Sequence, residues 1–378
     1  MRSALAWHRL WAIVLKEFVQ MRRDRITFAM MVGIPVIQLV LFGFAINTDP
    51  KRLPTVVFDA SQSAYSRSFV ASLENSGYFN VLETPSTVAE AREALAIGEV
   101  QFIVSIPPDF SRQLIRGEKP VLLLEADASD PAATGNALSA LATINQTALQ
   151  HDLKGPLAPL AGGPAPFEIR VQRNYNPEGI TQYNIVPGLM GTILTMTMIM
   201  MTGMAMTREL ERGTMENLLA FPVHPLEVMI GKILPYIIVG YIQVAVILIA
   251  AHFLFGVPIA GSLSLLLASV LVFLAANLTV GMMFSTLAKS QLQAMQMTFF
   301  FFLPSMLLSG FMFPFRGMPH WAQVIGEALP LTHFLRIVRG IMLKGNGWAE
   351  TWPNVWPLLL FMAIVMAIGF KRYRKTLD

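Results

Sequence analysis

The densest run of reactive side-chain types is "TRELERGTMENLLAFPVHPLEVMIGK" at 207–232, where eight titratable groups lie between two apolar runs. Arg208 and Arg212, and Arg212 and Glu216, are i,i+4 neighbours on a helix, with Glu209 and Glu216 at helical spacing beside them. Nothing in that pattern pairs a nucleophile with a base or gathers metal ligands. What it offers is charge for steering and register against another protein, with Leu218, Leu219 and Phe221 as an apolar tip that could fill a pocket. Gly213 loosens or ends the helix, and Phe221-Pro222 and His224-Pro225 break the chain before it resumes at Gly231. A solvated loop is the competing account of the same residues.

Other candidates for chemistry are sparse. Asp59, Asp109, Glu125, Asp127, Asp130 and His151 are scattered, with no pair at motif spacing. Asp127, Ser129 and Asp130 before Pro131 have the composition of a metal loop, but "ASDPA" reads better as a helix start. "GGPAP" lacks the strand-to-helix setting of a phosphate loop, and the chain holds no G-x-x-x-x-G-K-[ST] motif. ATP hydrolysis is therefore not expected here, and any energy must come from another polypeptide. With no cysteine, disulfides, thiolate metal sites and cysteine nucleophiles are excluded. No catalytic, cofactor-binding or metal-ligating residue is expected.

The elements that position the charged strip follow from composition. Of 378 residues, 54% are hydrophobic and only 14% charged, well below a soluble domain's share of charge. The net charge of +4 is not gathered into one basic domain, which disfavours nucleic acid as a partner. Six windows free of Asp, Glu, Lys and Arg run over 26–46, 183–206, 233–255, 262–288, 291–315 and 353–370. Each approaches the about 20 apolar residues a spanning helix needs, so the sequence predicts an α-helical polytopic membrane protein with six transmembrane helices. The first span is expected to be a retained anchor rather than a cleaved signal peptide. Lys and Arg concentrate in 1–25, 207–232, Lys289 and 371–378, which predicts both termini in the cytoplasm. Within 1–25, Trp7, Leu10, Trp11, Val14, Leu15 and Phe18 share one helical face. That is the pattern of an amphipathic helix lying in the inner interface or docked on the spans.

None of the windows holds an ionisable carboxylate or ammonium; His252, near the end of the third, reads as interfacial. Coupling to an ion gradient is disfavoured on that ground. Residues 47–182 alone have the composition of a soluble fold. Short apolar runs at 54–59, 79–83, 100–107 and 120–127 alternate with helix-like stretches, including one opening at Ser86 with Glu90 in its first turn. "TGNALSALATINQTALQ" at 134–150 reads as a further helix, and "FEIRVQRNYNP" as a strand returning after a Pro/Gly-rich loop. An inserted α/β domain between spans one and two, on the extracytoplasmic side, is expected.

Three ordered motifs carry a resemblance that covers essentially the whole chain. "NIVPGLMGTIL" opens the second span at 184–194. An E-x-E-x-G-T-x-E core falls on Glu209, Glu211, Gly213, Thr214 and Glu216. "LPSMLLSGFMFPFRGMP" is followed by "LPLTHFLRIVRGIMLKG", with its pattern on Pro330, Leu331, Thr332, His333, Phe334, Arg339, Gly340 and Gly345. The sequence resembles the type-2 permeases of ATP-binding cassette (ABC) exporters, in the drug-efflux branch with a large extracytoplasmic domain. His333 stands where that family often has tyrosine.

The resemblance implies a transport permease of the bacterial inner membrane rather than an enzyme. It implies pairing with a second permease subunit and with cytoplasmic ABC ATPase subunits that hold the ATP and Mg. A periplasmic membrane-fusion adaptor and an outer-membrane channel are implied as further partners. Residues 207–232 would be the coupling segment resting on the ATPase, through Arg208, Glu209, Glu211, Arg212, Gly213, Thr214, Glu216, Leu219 and Phe221. Residues 1–25 would be the interfacial elbow. The outer interfacial helices would occupy 318–345, with Pro330, Thr332, His333, Phe334, Arg336, Arg339 and Gly340 as their motif. Periodicity puts Leu331, Phe334, Leu335, Val338 and Met342 on one face, and Arg336, Arg339 and Lys344 off it, where they are expected to snorkel to headgroups. The Met- and Phe-rich spans suit hydrophobic or amphipathic cargo and serve equally as packing. The competing class is a membrane receptor or scaffold whose outer domain senses a ligand and whose inner strip recruits a signalling partner.

Overall fold

The computed structural model describes residues 49–160, 163–211 and 225–375. The expected elbow helix over 1–25, the first span over 26–46 and most of the coupling strip lie outside them.

Residues 53–174 build a five-stranded sheet from β1 (Leu53–Asp59), β2 (Phe79–Val81), β3 (Phe102–Ile106), β4 (Val121–Asp127) and β5 (Glu168–Asn174). The strand order is β2-β1-β3-β4-β5. Strand β1 runs parallel to β2 and β3, β3 pairs antiparallel with β4, and β4 parallel with β5. The helices between strands are α1 (Ala64–Asn75), α2 (Val88–Ile97), α3 (Phe110–Ile115) and α4 (Pro131–Thr147). Helix α2 opens one residue later than the sequence suggested. Thr87 is its cap, because only from there does Glu90 fall at the third helical position and complete a capping box. At α4, Asp130 accepts from Ala132 N and Pro131 follows it, so "ASDPA" is a helix start. The short α3 had no counterpart in the sequence reading. Phe69, Phe102, Phe110, Leu114 and Leu124 fill the core beneath these helices, with Phe69 edge-on to Phe167 at 5.4 Å.

The remaining chain is helical: α5 (Thr181–Glu211), α6 (Pro225–Phe253), α7 (Leu263–Leu287), α8 (Gln291–Leu308), α9 (His320–Glu327), α10 (Pro330–Arg339) and α11 (Trp348–Lys375). Among the described residues four helices are long and apolar enough to cross a membrane: α5, α6, α7 and α11. Window 291–315 does not form one continuous helix. Helix α8 stops at Leu308, and Gly310, at φ +84°, turns the chain where a side chain would be strained.

Helices α5, α7 and α10 share a core of Met190, Leu194, Met198, Phe273, Leu274, Leu331 and Phe334. By contrast, Ile238, Ile242, Val246, Ile249 and Phe253 line one exposed face of α6 at helical spacing. Trp352, Trp356, Leu360, Ile364 and Ile368 do the same on α11. Apolar ridges left exposed among the described residues are what lipid-facing helices present.

Candidate functional site

Helix α10 carries the motif from Pro330 to Arg339, and Pro330 starts it in the first turn, where a missing N–H goes unnoticed. Its N-cap residue, Leu329, has no capping side chain, so the entry is fixed by other bonds. Thr332 Oγ1 donates to Gly326 O at 2.6 Å, and His333 Nε2 lies 2.8 Å from Glu327 O while Nδ1 lies 3.2 Å from Asn354 Oδ1. His333 thus ties α10 to both α9 and α11. Phe334 stacks on Phe273 of α7, with ring centroids 4.0 Å apart and planes 6° from parallel. Arg336 forms a fork with Glu327, at 2.9 and 2.5 Å, and lies over the Phe315 ring.

Arg339 departs from the sequence expectation. It does not reach outward to headgroups. One guanidinium nitrogen donates to Gly310 O at 3.1 Å and the other to Asn184 Oδ1 at 3.1 Å, while Nε is buried without an acceptor. The reason is packing: the start of α5 at Asn184 and the turn at Gly310 after α8 both lie beside Arg339, so this residue off the apolar face meets protein rather than lipid. Two glycines permit that close packing. A Cβ at Gly191 of α5 would come within 2.7 Å of Leu331 Cδ1, and one at Gly340 within 2.8 Å of Asn346 Nδ2. Past Arg339 the chain makes a π-helical turn, Gly340–Lys344, ended by Gly345 at φ +72°. The half-buried Arg336 stays closest to the expected placement, yet it too is held by a carboxylate.

Lys344 also fails to snorkel. Its Nζ lies 2.6 Å from Asp127 Oδ2 at the end of β4, with the two side chains only 8% and 5% exposed. Ser129 N donates to the other Asp127 oxygen at 3.0 Å, so the buried carboxylate is satisfied on both sides. Beside it, Glu125 accepts from Arg92 at 3.0 and 3.3 Å and from Asn174 at 3.2 Å. Burial first, then the charges of Asp127 and Glu125, push Tyr175 up to about 12. The Glu125 hydrogen bond likewise raises Arg92 above its usual value.

Of the coupling residues, Arg212, Gly213, Thr214, Glu216, Leu219 and Phe221 lie outside the described residues, and Glu209 is described only in its backbone. Glu211, the last residue of α5, accepts from Gln291 N at 2.9 Å and from Gln291 Nε2 at 2.6 Å. Arg208 Nε donates to Gln291 Oε1 at 3.4 Å. Two strip residues therefore fasten the C-terminal end of α5 to the start of α8.

The model of the "ABC-2 family transporter protein" family matches residues 25–371. The chain belongs to the ABC-2 transporter family. This ABC-2 chain is 28% identical to "Probable multidrug ABC transporter permease YbhR" of Escherichia coli (strain K12), over 98% of this chain and 99% of that one. It is 29% identical to "Probable multidrug ABC transporter permease YbhS" of the same strain, over 97% and 96% of the two chains. "Linearmycin resistance permease protein LnrN" of Bacillus subtilis (strain 168) is 24% identical over 92% and 94%. No solved structure matches the chain.

In this ABC-2 permease, the first and third sequence motifs meet in space, through Asn184 and Arg339 and through Gly191 and Leu331. The second motif begins at the opposite end of α5, where Glu211 lies. Asp127, Lys344 and Gln291 were missed as partners, because nothing local to any of them names a residue so distant in sequence.

Proposed function

We propose that the chain is the membrane permease subunit of an ATP-driven exporter of hydrophobic or amphipathic compounds. Six helices span a bacterial inner membrane, the first over 26–46, with both termini cytoplasmic and residues 47–182 outside. Two such subunits pair, each with a cytoplasmic ABC ATPase that binds the ATP and Mg. A periplasmic adaptor of the membrane-fusion type and an outer-membrane channel complete the route.

The observation that carries this reading is the family match over nearly the whole chain. It is supported by the layout of α5, which joins the charged strip at Glu211 to the motif around Asn184 and Arg339. An unpowered conduit needs such an arrangement, because force enters at one end and cargo leaves at the other. The multidrug and linearmycin-resistance names of the relatives, with the Met-rich sequence of α5, favour apolar cargo.

The test reverses Glu209, Glu211 and Glu216 to lysine together. Pull-down of the ATPase and drug-stimulated ATP hydrolysis are expected to fall sharply while membrane levels of the permease hold. A drug-panel export assay in cells lacking the chain identifies cargo. Unchanged coupling in the triple variant overturns the docking assignment, and unchanged export in its absence overturns the exporter reading.

A further inference from the structure

Three side chains of the helical region take hold of one helix end in the α/β unit. Helix α2 finishes at Ile97, where Gly98 N donates to Leu95 O at 3.3 Å and the last carbonyls form the negative end of the helix dipole. Lys344 Nζ donates to Leu95 O at 3.2 Å and Asn346 Nδ2 to Ala96 O at 3.2 Å. Arg316 donates to Gly98 O at 2.6 Å and to Glu99 O at 3.3 Å. Two of these donors follow α10 and the third follows α8, so the grip draws on two separate segments. The buried Lys344–Asp127 pair sits in the middle of it. Asn184 of α5 adds a fourth tie, donating to Ser129 O at 3.1 Å.

From this arrangement we infer that the α2 end and Asp127 form a rigid joint, which carries the α/β unit as a fixed extension of α10 throughout the transport cycle. Any displacement of α10 then moves the whole α/β unit, and with it whatever is seated there. A hinge would look different. Opening this joint would separate the Lys344–Asp127 pair and break side-chain hydrogen bonds to four carbonyls at once, whereas hinges lie where few bonds must break. Gly340 and the left-handed Gly345 bound a turn too tightly packed to absorb the motion, since Gly340 already lies against Asn346. Lys344, Asn346 and Arg316 are positioning residues in this scheme. The inference rests on the exporter reading for its cycle and on the geometry alone for the joint.

The test uses the full complex with two variants. In this cysteine-free chain, Ala96→Cys with Asn346→Cys places one thiol pair across the joint, closed by oxidation or a short bis-thiol reagent. The expected result is the same cross-linking rate in nucleotide-free and nucleotide-trapped complexes, with export by the locked permease matching its unlinked control. Lys344→Met, which loosens the joint, is expected to lower export by about tenfold or more at normal membrane levels. Cross-linking that slows several-fold in one nucleotide state, or export abolished by the lock, shows that the unit must undock and overturns the inference. Unchanged export by Lys344→Met also overturns it. If the wild-type complex exports nothing, the exporter reading fails, while the cross-linking rates still report on the joint.

Discussion

Arg339 of α10 donates to Asn184 Oδ1 at 3.1 Å, and Asn184 donates onward to Ser129 O at 3.1 Å. A single asparagine thus joins the α10 motif, the start of α5 and the α/β unit. Arg339→Gln is expected to leave Asn184 Oδ1 and Gly310 O without donors, at about 1–3 kcal/mol for each group that stays buried. Thermal unfolding in detergent should show the loss. Arg339→Lys, which reaches one acceptor but not both, should fall between.

Phe334 is fully buried and stacked on Phe273. Phe334→Ala should destabilise by about 3–5 kcal/mol, the transfer loss plus an unfilled cavity, and Phe334→Leu by less. Phe300, which is partly exposed, serves as the control: Phe300→Ala should shift the melting temperature little.

Gly191 has no room for a side chain beside Leu331. Gly191→Val is expected to push α10 off α5, lowering both the melting temperature and export. Gly135, whose added Cβ would meet nothing within 4 Å, gives the contrast: Gly135→Ala should be neutral or slightly stabilising in the interior of α4.

Glu211 and Arg208 are exposed, so their bonds to Gln291 carry little stability. Glu211→Gln should change unfolding by less than about 1 kcal/mol. Its effect is expected instead in the ratio of drug-stimulated to basal ATP hydrolysis, measured on the assembled complex.

Periodicity made much of this legible. The shared face of Leu331, Phe334, Leu335, Val338 and Met342 is buried as a unit, and the runs at 54–59, 79–83, 100–107 and 120–127 each fall on a strand. Local chemistry also identified the Asp130 start of α4. The basic residues of α10 misled because a helical face is read relative to its own axis. The sequence pattern does not say whether the opposite face meets lipid or protein, and here Arg336 meets Glu327 of α9 while Arg339 meets Asn184 of α5 and the turn at Gly310. Lys344 and Asp127 lie 217 positions apart, a separation at which spacing carries no information. The break at Gly310 was hidden inside an apolar window, since composition alone does not register one left-handed residue.

Helix α5 runs unbroken for 31 residues, from Thr181 to Glu211, a rod of roughly 45 Å at the usual rise per residue. Such a rod barely shortens under load, so under the proposed coupling a thrust delivered beside Glu211 re-emerges at Asn184 without any relay of intervening side chains. The lone proline, Pro187, sits near the far tip, where a slight bend would redirect the stroke sideways rather than absorb it.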